Sequence, residues 1–386
     1  MSHSCSRLNP ATGQNGVAEN QMSDRPRARD FGVKIGSLET GANNSITDIP
    51  GVRVGQVTLI SGEGTLRPGH GPIRTGVTAI LPHTGNIFRE KVKAASFIIN
   101  GFGKSVGLFQ VDELGVLETP IVLTNALNVG IVADALVEYM LKMNPEIGVT
   151  TGTVNPIVCE CNDGFLNDIR GRHVRHEHVR KALQDTTDGP VEEGVVGAGT
   201  GMSAFELKGG IGSSSRVISK EFGGYFVGAL VLLNCGLLPD LRIDGVPVGR
   251  ELAMSGSVAT LESGSIIILI ATDAPVTSRQ LKRMARRATH GLARTGSISG
   301  HSSGDIVLAF STVNRVPHYK CDAKPHSGSV FEEDMDWLFR GVIESTEEAI
   351  LNSLFKARTT IGRDGNRRLA LPLDETRKIL QKYGKV

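Results

Sequence analysis

The chain has 386 residues, with 42 Lys and Arg against 40 Asp and Glu, a formal net charge of +2. That balance gives no electrostatic basis for binding nucleic acid or an acidic membrane surface. Forty-seven glycines, 5% aromatic residues and 40% apolar residues suit an α/β protein rich in tight turns and long enough for a large core.

In chain order, residues 1–31 are rich in Ser, Asn, Gly, Arg and Asp and lack the apolar run of a signal peptide. They read as a disordered leader, with residues 32–386 forming one domain. Val52–Leu59 and Val77–Leu81 read as strands bounded by Pro-Gly and Gly-Pro punctuation. Ile121–Asn125 reads as a short buried strand, and Ile131, Ala135, Leu136, Tyr139 and Met140 then recur at helical spacing. A glycine-rich stretch, Glu193–Gly212, precedes the apolar strand Tyr225–Leu233. After Ser263-Gly264-Ser265 comes the run Ile266–Ile270, a strand apolar on both faces. Leu281, Met284, Ala285, Ala288 and Leu292 mark an amphipathic helix with Ser278 as a plausible N-cap and Lys282, Arg283, Arg286 and Arg287 on its polar face. Asp305–Ser311 reads as a strand, and Met335 to Leu354 as a long helix. Strands and helices mix without strict βαβ alternation, which points to a layered sandwich rather than a doubly wound sheet.

Cys5, Cys159, Cys161, Cys235 and Cys321 are odd in number and scattered, as free thiols in a reducing compartment would be. No segment approaches the ~20 apolar residues of a membrane span. The expectation is a cytoplasmic protein that needs no cofactor and no metal.

Several motifs resemble sites without meeting their chemistry. Asn100-Gly101-Phe102-Gly103-Lys104-Ser105 has the end of a phosphate loop, but Ile98 occupies the position of the first glycine. Gly197-Ala198-Gly199-Thr200-Gly201 has the wrong third spacing for a dinucleotide fingerprint. Gly300-His301-Ser302-Ser303-Gly304 fits a nucleophile elbow by letter, yet its strand follows rather than precedes it. His173, His176 and His178 lie among arginines at no metalloprotease spacing and read as a solvated helix or loop.

The Gly264-Ser265 step carries a sharper possibility. A serine freed at an N-terminus holds both a nucleophile and a base, because an α-amine has a pKa of about 8 and can take the hydroxyl proton at neutral pH. The preceding glycine would give the backbone freedom for that hydroxyl to reach the Gly264 carbonyl. Taken alone, Gly-Ser before a strand is usually just a turn.

From about residue 43 to 383 the chain resembles the self-processing N-terminal-serine aminopeptidases, which comprise the L-aminopeptidase/D-amidase/esterases and the β-peptidyl aminopeptidases. The resemblance runs in order through Ser45–Gly55, Asn100–Gly103, Glu118–Asn125, Leu166–Ile169, Gly264–Ile266, Ala271–Pro275, Ala293–Ser297 and Gly362–Gly365. It implies a four-layer αββα sandwich of the N-terminal-nucleophile type, cut between Gly264 and Ser265 into segments of 264 and 122 residues. Ser265 would be the nucleophile and its new amine the base. Asn234 would donate to the oxyanion, its alternative role being a turn former at a strand end. Ser303 and Asp305, two apart at the start of a strand, would orient Ser265 or else cap the loop.

An aminopeptidase also needs a carboxylate for the substrate ammonium. The resemblance points to Glu160, with Asp163 as an alternative or both solvated. The family often places a tyrosine hydroxyl in this region, where this chain offers Asn162 and Phe165. Expected substrates are short peptides, amides or esters, and the expected assembly is a homo-tetramer of processed protomers. Two other readings remain open: an N-acyl amino acid acyltransferase of the ornithine acetyltransferase kind, whose nucleophile is threonine, and an unprocessed binding protein that keeps the fold.

Overall fold

The computed structural model describes residues 25–253, 264–320 and 328–386. Two sheets form its centre. The first is four-stranded in the order β1 (Arg53–Ser61), β2 (Ile73–Leu81), β5 (Ile121–Asn125), β6 (Ile157–Cys161). The second is six-stranded in the order β4 (Val116–Leu117), β3 (Glu90–Gly101), β12 (Gly304–Pro317), β11 (Ser265–Thr272), β10 (Phe226–Asn234), β9 (Gly210–Val217). Two small hairpins complete the strands, β7 (Ser203–Ala204) with β8 (Leu207–Lys208) and β13 (Thr360–Ile361) with β14 (Arg367–Arg368).

Side-chain alternation sets the layers. Along β11, Ile267, Leu269 and Ala271 pack with Leu230, Leu308, Ile80, Leu123 and Cys159 between the sheets. Ile266, Ile268 and Ile270 on its other face pack against two helices, α5 (Ser278–Arg294) and α6 (Met335–Lys356). Val77, Val122 and Val158 of the first sheet meet α2 (Val129–Met143) and α3 (His176–Gln184). The order helix, sheet, sheet, helix is the αββα sandwich, and it explains why β11 is apolar at every step: both of its faces are covered. The remaining helices are α1 (Leu108–Leu114), α4 (Val248–Leu252) and α7 (Leu373–Lys382). Among the described residues no helix is long and apolar enough to cross a membrane.

The structure departs from the sequence reading in three places. Residues 25–31, part of the expected leader, are packed into the fold: Arg25 donates to Phe355 O and Leu371 O, Arg27 pairs with Glu193 at 2.7 Å, and Ala28 and Phe31 are buried. Residues 1–24 of the expected leader, with Cys5, lie outside the described residues, as do Ser263 and Cys321. The cap of α5 is Thr277, whose hydroxyl accepts from Gln280 N–H, while Ser278 Oγ donates to Gly115 O. Finally, the glycine-rich stretch ends in a full strand, β9. There α6 comes so close that a Cβ on Gly212 would stand 1.9 Å from Ala349 O, so small residues were selected over the usual strand formers. Arg216 on the same strand, fully buried, bonds Glu344 and Glu348 of α6 at 3.2 and 2.7 Å.

Candidate active site

Ser265 opens β11, beside β10 on one edge and β12 on the other, and its ladder partners are Asn234 and Gly304. Its side chain shares the inter-sheet parity of Ile267 and Leu269, so it points into the gap at the end of the two sheets. The hydroxyl donates to Gly264 O at 2.6 Å and accepts from Gly304 N–H at 3.1 Å. Gly264 has φ +149°, and a Cβ there would stand 2.0 Å from Asn234 O. Glycine is thus required by close approach as well as by backbone conformation. Gly304 likewise keeps open the space beside Ser265, since its Cβ would lie 3.1 Å from Ser265 Oγ.

Asn234 ends β10 on the same face. Its Oδ1 accepts from Ser203 N–H at 2.7 Å. A backbone N–H can only be met by the amide oxygen, which fixes the flip and leaves Nδ2 as the group free to donate. Ser203 sits on the β7–β8 hairpin, which the buried Lys208 braces from behind through Nζ donors to Gly199, Met202 and Gly209 carbonyls at 2.6–3.0 Å. Burial pushes the Lys208 ammonium down to about 7.

Ser303 and Asp305 are completely buried behind Ser265. Ser303 Oγ donates to Asp305 Oδ1 at 2.5 Å, and the same oxygen accepts from Ile266 N–H at 3.1 Å. The pair therefore grips the backbone just after Ser265. Ser302, discounted as an elbow, lines the cleft instead, and β12 follows it as the strand order required.

A cleft of about 610 Å³ gathers Gly264, Ser265, Asn234, Glu160, Asn162 and Phe165. Glu160 is 3% exposed, and its Oε1 accepts from Lys104 N–H at 2.9 Å. Burial raises its pKa, with the Lys104 N–H and charge pulling the other way. Asp163, the alternative carboxylate, is placed elsewhere. It is fully buried, accepts from Thr75 and Asn167 at 2.5 and 3.0 Å, and is pushed up to about 7 by desolvation. Neither acid is solvated. Phe165 lies under the Arg368 guanidinium at 3.8 Å, and Asn162 Oδ1 accepts from Gly164 N–H. None of the four tyrosines lines the cleft.

Sequence reasoning missed Ser203, Lys104, Arg363 and Arg368, which also line it. Lys104 belongs to the incomplete phosphate loop, which here is a turn whose Phe102 N–H meets Ser303 O and whose Lys104 N–H holds Glu160. Only the topology brings these segments to one place. His173 bonds Asp168 and His176 bonds Asp134 and Glu138, so the histidine cluster is spent on local pairs. Cys159, Cys161 and Cys235 are buried, with burial pushing the Cys159 thiol up to about 12.

A family model for peptidase family S58 matches residues 44–368. The chain is 42% identical over 382 residues to the β-peptidyl aminopeptidase BapA of Sphingosinicella microcystinivorans, covering 94% of this chain and 93% of that one. Among solved structures, the PH0078 protein of Pyrococcus horikoshii OT3 superposes with a TM-score of 0.89 at 54% identity, covering 94% of this chain and all of that one. The L-aminopeptidase D-Ala-esterase/amidase of Ochrobactrum anthropi, a variant of the Ntn hydrolase fold, superposes with a TM-score of 0.85 at 39% identity, covering 94% and 99%.

Proposed function

The chain belongs to peptidase family S58 and is a serine-type aminopeptidase; on that premise we propose that Ser265 is its nucleophile, released as an N-terminus by self-cleavage at Gly264-Ser265. The observation that carries this reading is the Ser265 hydroxyl lying 2.6 Å from Gly264 O with Asn234 opposite in the ladder.

In the precursor, Ser265 Oγ attacks the Gly264 carbonyl carbon, the C–N bond breaks to leave an ester and a free amine, and water hydrolyses the ester. Gly264 then ends one segment as a carboxylate and Ser265 begins the other. In the mature site the Ser265 amine takes the hydroxyl proton as oxygen attacks the substrate carbonyl. Asn234 Nδ2 donates to the developing oxyanion in a site shielded from water. Glu160 holds the substrate ammonium. The proton passes to the departing amine or alcohol, and water attacks the acyl-serine to release the N-terminal residue. Ser303 and Asp305 hold the strand backbone behind Ser265 and counter the charge of its ammonium form.

The substrates on this reading are short peptides, amides or esters with a free amine. The enzyme is cytoplasmic and works as a homo-tetramer of processed protomers. The acyltransferase alternative is not favoured, because residue 265 is serine and the matched relatives are aminopeptidases. An unprocessed binding role would leave the chain uncut. The test is release of nitroaniline from alanyl-p-nitroanilide and from its N-acetyl form. Turnover of the free amine alone is expected, and equal turnover of both overturns the assignment of an aminopeptidase site.

A further inference from the structure

We propose that the cleft contains a subsite for the free carboxylate of a short peptide, anchored by Arg368. The inference rests on the aminopeptidase reading of the same cleft and adds a substrate class to it: peptides so short that their C-terminus lies inside the cleft.

Two guanidinium groups line this space, and they are not equivalent. Arg363 is committed: Nε donates to Gly164 O at 2.7 Å and Nη1 pairs with Asp364 at 3.1 Å. Arg368 forms no ion pair among the described residues, and its Nε is buried without a hydrogen-bond acceptor. Glu206 is felt by it electrostatically but does not pair with it, and burial lowers its pKa. A half-buried guanidinium with one buried N–H left unpaired is costly to keep unless an acceptor completes it.

The group is also held in position. Its Cζ lies 3.8 Å from the Phe165 ring centroid, a cation–π contact that leaves N–H groups for a carboxylate. The β13–β14 hairpin that carries it is tied to the Phe165 turn by Asn366 Nδ2 to Phe165 O at 2.9 Å and by Arg363 N–H to Leu166 O at 2.9 Å. The same cleft holds the Glu160 carboxylate. A ligand with an ammonium at one end and a carboxylate at the other matches both charges, and a cleft of about 610 Å³ is of small-molecule size. Phe165 thereby acquires a role in place of the absent phenol: it supports the arginine from one side.

The test compares alanyl-alanine with alanyl-alaninamide on the processed wild type and on Arg368→Met and Arg368→Lys. The expected wild-type preference for the free acid is ~10-fold or more in kcat/KM, carried by KM. Arg368→Met should lose ~10–100-fold on the acid and change under ~3-fold on the amide, and Arg368→Lys should recover part of the loss. Equal losses on both substrates, or no loss on either, overturn the subsite. Calorimetry with analogues whose scissile carbonyl is reduced to methylene reads the subsite without turnover. An acid-over-amide preference that vanishes in Arg368→Met supports it, and equal binding overturns it. If neither dipeptide is hydrolysed while that binding preference holds, the hydrolase reading fails and the subsite stands.

Discussion

Ser265 and Asn234 stand directly opposite each other on adjacent antiparallel strands, the last pair of the β10–β11 ladder. Opposed residues share a face, with Cβ atoms about 4.5–5.5 Å apart. A hydroxyl and an amide are thus held as neighbours by sheet register rather than by loop conformation. The sheet supplies the precision, and the loops supply only the cleft walls.

Asn234→Ala should therefore cost ~10²–10³ in kcat while KM moves little, as for loss of one oxyanion donor. Steady-state kinetics on an aminoacyl amide check it. A change under ~3-fold would reduce Asn234 to a partner for Ser203.

Gly264→Ala places a Cβ 2.0 Å from Asn234 O on a backbone with φ +149°. Relief of that clash shifts the Gly264 carbonyl out of line with Ser265 Oγ, and a misplacement of about 1–3 kcal/mol corresponds to ~10–100-fold slower processing. A denaturing-gel time course should show uncut chain persisting in this variant well after the wild type is cut.

Glu160 titrates above its ordinary value of 4.5 because burial disfavours its charge. It is neutral below that raised pKa and cannot hold an ammonium there. The Ser265 amine, a group whose ordinary pKa is about 8, must also be neutral to act as base. Below both values log kcat/KM should fall with a slope approaching two per pH unit, and in Glu160→Gln with a slope of one. A pH–rate profile that keeps the wild-type slope in Glu160→Gln removes Glu160 from recognition.

Arg216→Met leaves Glu344 buried without its nearest cation and Glu348 with Arg29 alone. About 3–5 kcal/mol of stability should be lost, read as a lower unfolding midpoint. The residue lies between β9 and α6, away from the cleft lining.

The legible parts of this fold were those whose burial is written in side chains. The isoleucine run of β11 and the apolar stripes of α5 and α6 announce themselves, because each buries large aliphatic groups. β9 was hidden, since its close contact with α6 replaces apolar bulk with Gly and Ser. Gly264 and Ser265 could be singled out locally, but Asn234 was proposed as a donor only through the resemblance, and its partner Ser203 carried no signal. Arg368 was invisible for a similar reason: a lone arginine says nothing until a hairpin sets it on Phe165.

The central claim is that a serine inside the chain becomes its N-terminus, and N-terminal sequencing with intact mass of the purified, active protein tests it most directly. The expected result is two polypeptides in equal amount, the second beginning Ser-Ile-Ile-Ile, with Ser265→Ala giving one uncut, folded and inactive chain. An active preparation that contains only uncut chain, or a Ser265→Ala protein that still releases N-terminal residues, would contradict it.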